Sequence, residues 1–163
     1  MLTDLATWKE RRELLADFQM KLLHQFGEND YNVFVFGSYI REDFTPGESD
    51  IDLIVYCNKI IKRMDIVDYC RDYFYQQGLP CDVLEYYYYE YEYVYAIGIL
   101  NSVPLTDYFP KQLKDELYII AKNYAAHKRE NALQQKYQDW EYVIYKRKSI
   151  HKKEVPHLNG KIT

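Results

Sequence analysis

Apolar side chains recur at helical spacing over residues 7–26, where Trp8, Leu15, Phe18, Leu22 and Phe26 share one stripe. Thr7 and Glu10 stand at the offset of a capping box, and Gly27-Glu28-Asn29-Asp30 stops the pattern. The periodicity then changes. Val33-Phe34-Val35-Phe36 is a continuous apolar run, the mark of a strand buried on both faces, and it breaks at Gly37-Ser38. Residues 39–49 are polar and contain Pro46 and Gly47, which predicts a short turn or helix and then a loop. Residues 50–56 return to a strand pattern.

Asn58 is placed to cap a helix over residues 59–77, with Ile61, Met64, Val67 and Tyr75 between charges and Gly78 as its stop. A third strand is predicted over residues 81–86. After it, the chain reads as helix from about Glu90 to the stretch before Pro104. Residues 110–150 read as helix, with Leu113, Leu117, Ile120 and Tyr124 on one stripe. That stripe lapses over residues 127–135 and resumes at Tyr137, Trp140 and Ile144, which fits two helices or one bent helix. No internal repeat or interdomain linker is visible. The expected architecture is α+β: one domain over residues 1–145, a small mixed sheet packed with helices, and a tail over 146–163.

Composition narrows the class. At 163 residues the chain suits a single domain able to bury its own core. No stretch of 18 apolar residues predicts a membrane span, and the charged start MLTDLATWKERRE lacks the core of a signal peptide. Cys57, Cys70 and Cys81 are an odd number without ligand spacing, so reduced thiols in a cytoplasmic protein are expected. From Lys146 onward there are six basic residues and one acid, which leaves 15 basic and 24 acidic residues in the body, net −9. Such a body argues against a broad nucleic-acid face, and the tail is expected to be a solvated terminus. Seven of the 19 tyrosines fall between Tyr86 and Tyr95. Base stacking is one use for them, but Glu90 and Glu92 interrupt the run, so packing at half-buried positions is the expectation.

Candidate chemistry concentrates in residues 34–56, FVFGSYIREDFTPGESDIDLIVY. Asp50 and Asp52 lie two apart in a strand and so leave one face, while Ile51, Leu53 and Val55 leave the other. Carboxylates held that close repel, and a divalent cation relieves the repulsion; an all-oxygen set suits Mg²⁺ or Mn²⁺. Gly37 breaks a buried strand where backbone amides can approach an anion, and Ser38 adds a hydroxyl donor. No Gly-Lys-Ser/Thr follows, so this is not a P-loop. Arg41 is either a further anion contact or a partner for Asp43 or Glu48. The four histidines show neither metal spacing nor a paired nucleophile.

An apolar strand, Gly-Ser, a short loop and Asp-x-Asp inside a second apolar strand resemble the nucleotidyltransferase superfamily that includes DNA polymerase β, particularly its minimal branch. The resemblance covers about residues 30–86. It implies that Gly37 and Ser38, with Arg41 nearby, contact the nucleotide, and that Asp50 and Asp52 bind metal. A third carboxylate is implied on a later strand. Asp82 is the best match, with Glu85 its rival; Asp82 shares a face with Leu84 and Glu85 falls on the other. Two departures from the family pattern stand in the loop: eleven residues separate Ser38 from Asp50, and Glu42 replaces a common glycine.

The implied activity is transfer of a nucleoside monophosphate from an NTP, with ATP slightly favoured, to an acceptor hydroxyl. Two Mg²⁺ (or Mn²⁺) ions would assist and pyrophosphate would leave. The resemblance also implies two other classes: an antitoxin-type partner of a small helical HEPN-type toxin, acting by binding or by nucleotidylating it, or a catalytically silent interaction module.

Overall fold

The computed structural model describes residues 5–86 and 92–146. Chain order is α1 (Trp8–Phe26), β1 (Tyr31–Phe36), a 3-10 turn (Gly37–Ile40), β2 (Ile51–Cys57), α2 (Ile60–Gln76), β3 (Cys81–Glu85), α3 (Glu92–Leu100), β4 (Val103–Pro104) and α4 (Lys111–Lys146). The four strands form one mixed sheet in the order β3-β2-β1-β4. β1 pairs antiparallel with β2 and β4, whereas β2 and β3 run parallel through the α2 crossover. The α+β expectation therefore holds. None of the described helices is long and apolar enough to cross a membrane.

Alternation along the strands sorts the core into two clusters, one on each face of the sheet. Val33, Val35, Leu53, Val55 and Val83 pack with Leu15, Phe18 and Leu22 of α1 and with Ile66, Cys70 and Phe74 of α2. Phe34, Ile54 and Tyr56 pack with Tyr95, Ala96 and Ile99 of α3 and Leu113, Leu117 and Ile120 of α4. Both faces are covered, as the unbroken apolar run in β1 requires. Tyr86 and Tyr95 belong to the second cluster, in keeping with packing; residues 87–91 of the tyrosine cluster lie outside the described residues. So does the basic tail from residue 147.

Several local expectations hold. Thr7 caps α1 in a reciprocal capping box with Glu10. The C-terminal helix is a single 36-residue element through the lapse in its stripe, because no glycine or proline interrupts it. All three cysteines are free thiols.

Other expectations are corrected. Lys59, not Asn58, occupies the N-cap of α2, and no side chain caps that end. The Asn58 side chain is instead spent on the Tyr56 phenol. The buried face of α2 is Ile66, Val67, Cys70, Tyr73 and Phe74, while Ile61, Met64 and Tyr75 are exposed. Aromatic packing decides this: the Phe74 and Phe18 rings lie 4.6 Å apart and Tyr73 bonds Asp17 of α1 at 2.5 Å. The short β4 was not expected, since two residues around Pro104 carry no strand signal of their own. A polar residue fastens the segment after β4 to the sheet. Fully buried Asn32 donates to the carbonyls of Thr106 (3.1 Å) and Tyr108 (2.7 Å) and accepts from the Thr106 amide (3.1 Å).

Replacing Asn32 takes that partner from four backbone groups, the carbonyls of Thr106 and Tyr108 and the amides of Thr106 and Val33. Asn32→Ala should lower the free energy of unfolding by about 2–4 kcal/mol with an unchanged urea m-value. A loss below about 0.5 kcal/mol in urea unfolding would mean that water serves these groups equally well.

Candidate active site

The carboxyl-terminal end of β1 and the amino-terminal ends of β2 and β3 meet at one end of the sheet. Register brings the chemistry together there: Phe36 pairs with Asp52, and Asp52 pairs in turn with Asp82 on β3. Side chains at 52, 54 and 56 share the face that carries Phe34, Leu84 and helices α3 and α4. Asp52 and Asp82 are thus neighbours across the ladder, on one face. Asp50 directly precedes β2 and belongs to the same face two residues back.

Glu85, the rival acid, points elsewhere. It is ion-paired to Arg63 of α2 at 3.0 Å, and Arg63 also donates to the Cys57 carbonyl. The alternation of the strand therefore favours Asp82 on geometry.

Gly37 closes the other side of Asp52. Its φ is +76°, a region where a side chain is strained. Space is a stronger constraint still. A Cβ at Gly37 would stand 2.3 Å from the Asp52 Oδ2 atom, so the carboxylate occupies the volume that any other residue would fill. Gly98 allows a second close approach, because a Cβ there would meet Ile54 Cδ1 at 2.8 Å and Phe36 Cδ2 at 3.4 Å. Helix α3 consequently lies directly on the residues that support the acid pair.

Electrostatics mark Asp52 out. It is half-buried, whereas Asp50 and Asp82 are exposed. Burial, and then the charges of Asp82 and Asp50, push its pKa up from 3.8 to about 6, with Arg41 pulling the other way. Arg41 itself forks onto Asp43, at 3.0 and 3.1 Å, the plainer of its two expected roles. Both partners are exposed, so the pair adds little stability. Ser38 is half-buried in the 3-10 turn, and its carbonyl accepts the Arg41 amide at 2.9 Å.

Among the described residues, no three acidic, histidine or cysteine side chains form a closed cage for one ion. The donor set nevertheless fits Mg²⁺. Hard carboxylate oxygens that repel one another suit an ion that takes one or two carboxylates and completes its shell with phosphate and water.

Sequence reasoning missed Arg11. This α1 residue is only 3% exposed and reaches the 3-10 turn, donating to the carbonyls of Tyr39 (2.8 Å) and Arg41 (2.9 Å). Its signal was its position: residues 11, 15, 18 and 22 are one helical stripe, and a cation interrupts three apolar members.

Between pH 3.8 and about 6 the folded protein holds more protons at Asp52 than the unfolded chain, so stability falls as pH rises through that window. In chelator, Asp52→Asn should lose this slope and be more stable at pH 7 by roughly 1–2 kcal/mol, after allowance for screening at a half-exposed site. Parallel profiles of unfolding temperature against pH would remove Asp52 from this account. Gly37→Ala should destabilise by about 1–3 kcal/mol, and adding Asp52→Ala should recover the steric part but not the backbone strain. Strict additivity in the double-variant cycle would separate the two positions.

Comparison with known proteins extends the likeness beyond the motifs. Among solved structures, a crystal structure of the toxin-antitoxin MntA-HpeT, in mutant form, is similar at 17% identity and a TM-score of 0.41. The similarity covers 74% of this chain and 92% of that one. No curated protein matches. Residues 17–155 match the family described as nucleotidyltransferase domain, a span much wider than the motif core. That match takes in most of the chain, which therefore belongs to the nucleotidyltransferase domain family.

Proposed function

We propose that the protein transfers a nucleoside monophosphate from an NTP to an acceptor hydroxyl, with Asp50, Asp52 and Asp82 as its metal-binding and catalytic carboxylates. The observation that carries this reading is the pairing of Asp52 with Asp82 across β2 and β3, with Gly37 against the Asp52 carboxylate. A hydroxyl oxygen attacks the α-phosphorus, the bond to the β-phosphate oxygen breaks, and pyrophosphate leaves with the electron pair. Two Mg²⁺ ions held by these carboxylates supply charge neutralisation of the triphosphate and a lowered pKa of the acceptor hydroxyl.

The chain's own groups divide the remaining work. Asp52, central and half-buried, is fixed by strand pairing and by the Gly37 backbone, so it presents its oxygens without reorganising. Asp50 holds the triphosphate side with it. Exposed Asp82 faces the acceptor and takes the departing hydroxyl proton. The turn at Gly37 and Ser38 offers amides and a hydroxyl to the β- and γ-phosphates. Arg41, drawn from Asp43, adds charge at the rim. The body's net charge of −9 disfavours nucleic acid as acceptor. A small helical HEPN-type toxin, the partner implied by the motif resemblance, is the first acceptor to present.

Calorimetry with each of the four NTPs, in Mg²⁺ and in chelator, tests the site. Binding is expected only with the cation, and Mg²⁺ with NTP should raise the unfolding temperature at pH 7. Equal affinity in chelator overturns the metal-bridged arrangement. Absence of binding under both conditions favours the silent interaction module.

Variants then separate the roles. Asp82→Asn should retain NTP affinity yet lose transfer of an α-phosphate label by more than about 100-fold. Ser38→Ala should weaken NTP binding roughly tenfold, the scale of one hydrogen bond to a charged group. Full transfer by Asp82→Asn would remove that residue from the mechanism.

A further inference from the structure

Arg11 is a buried cation whose hydrogen bonds go to backbone oxygens. It donates to Leu5 (2.9 Å), Ala6 (3.1 Å), Tyr39 (2.8 Å) and Arg41 (2.9 Å), and among the described residues no carboxylate is ion-paired to it. The guanidinium lies 5.0 Å above the Phe44 ring, and the Tyr39 and Phe44 rings meet edge to face at 5.4 Å. Fully buried Tyr39 returns a bond from its hydroxyl to the Arg11 carbonyl at 2.6 Å. One side chain on α1 thus ties together the chain entering α1, the 3-10 turn and the start of the loop that leads to Asp50.

Burying an unpaired guanidinium is costly. The position continues the stripe of Leu15, Phe18 and Leu22, so an apolar residue would serve packing alone with less desolvation. What an apolar residue cannot do is hold two carbonyls, at Tyr39 and Arg41, that bracket the end of the Gly37–Ile40 turn. At the other end of that turn, Gly37 is pressed against Asp52.

We infer that Arg11 is a positioning residue: it holds the Gly37–Ser38 turn in its binding geometry before any ligand arrives. The contribution to nucleotide affinity rests on the function proposed above; the holding of the turn does not. Arg11 touches no reacting group, and its effect is preorganisation.

Hydrogen exchange on the full-length protein, without ligand, tests the holding directly. In Arg11→Met the amides of residues 37–41 should exchange at least roughly tenfold faster, and Arg11→Lys should restore part of the protection because it keeps a donor but not the fork. ATP with Mg²⁺ should bind about tenfold more weakly to Arg11→Met, while Mn²⁺ alone, which needs only the carboxylates of Asp50, Asp52 and Asp82, should bind unchanged. Asp17→Asn is the control for general destabilisation. It loosens α1 where Tyr73 and Lys21 hold it, away from the turn, and should leave both turn exchange and ATP affinity unaltered.

Unchanged exchange at residues 37–41 in Arg11→Met overturns the inference. So does an equal loss of ATP affinity in Asp17→Asn, since that would make Arg11 merely structural. If the wild-type protein binds no NTP, the function proposed above fails, and the exchange measurement still decides whether Arg11 holds the turn. Should Arg11→Met not fold, Arg11→Lys carries the same comparison, with faster turn exchange expected and wild-type exchange counting against the inference.

Discussion

The candidate site depends on a close approach: the backbone of Gly37 lies where only a missing side chain lets the Asp52 carboxylate stand. Antiparallel pairing puts Phe36 opposite Asp52, so the residue after Phe36 has to turn away from the sheet at once. A positive φ accomplishes that turn, and glycine alone adopts it without cost. The turn, the strand register and the acid position are therefore one constraint. Shifting the register by one residue would send Asp52 to the α1/α2 face and Leu53 to the site. Two buried faces forbid such a slip, because each strand residue from 33 to 35 and from 53 to 57 is already committed to one of the two clusters.

The same two-sided burial produces the electrostatics. Asp52 is the last position of its face before solvent, with Ile54 and Tyr56 behind it in the apolar layer under α3 and α4. Close packing at Gly98 brings α3 down onto Ile54 and Phe36, and this dries one flank of the carboxylate. The other flank faces Asp82 and Asp50. Desolvation and like charge therefore act in the same direction, and a carboxyl with a pKa of about 6 is the result. Arg41 opposes the shift from an exposed position, where water and Asp43 both compete for it.

Much of this was legible in the sequence, and the reasons are local. A run of four apolar strand formers stopped by Gly-Ser, followed by Asp-x-Asp with branched residues between, states both the strands and the acid face. Alternation in β3 also puts Asp82 and Glu85 on opposite faces, and the structure pairs Asp82 with Asp52 and Glu85 with Arg63. What failed to show depended on distant partners. The buried face of α2 is an exception: Ile66, Val67, Cys70, Tyr73 and Phe74 recur at helical spacing, and contacts to Phe18 and Asp17 on another helix select that stripe over Ile61, Met64 and Tyr75. β4 exists through pairing with Val35 and Phe34 and through the bonds of Asn32, neither of which is written in residues 103–104. Arg11 was hidden only in part. Its place on the stripe of Leu15, Phe18 and Leu22 marks it in the sequence, but only the turn it reaches, 28 residues on, explains why a cation is buried there.

Arg11 and Asp52 stand on opposite sides of the same turn, yet they act on it by different physics. Arg41 is the cation that pulls Asp52 downward, while the Arg11 charge is absorbed by four carbonyl dipoles and the Phe44 face. Arg11 therefore contributes shape. Asp52 contributes charge, at the expense of the folded state, because repulsion among the three acids persists until something positive arrives. A site of this kind is stiff on the backbone side and frustrated on the carboxylate side. On the function proposed above, the stiffness would set where the nucleotide binds, and neutralising the acids with a cation would add to the ligand's own contacts. A flexible turn would spend that energy on ordering itself. Rigid backbone and strained charge are thus complementary halves of one arrangement, and each would be of little use without the other.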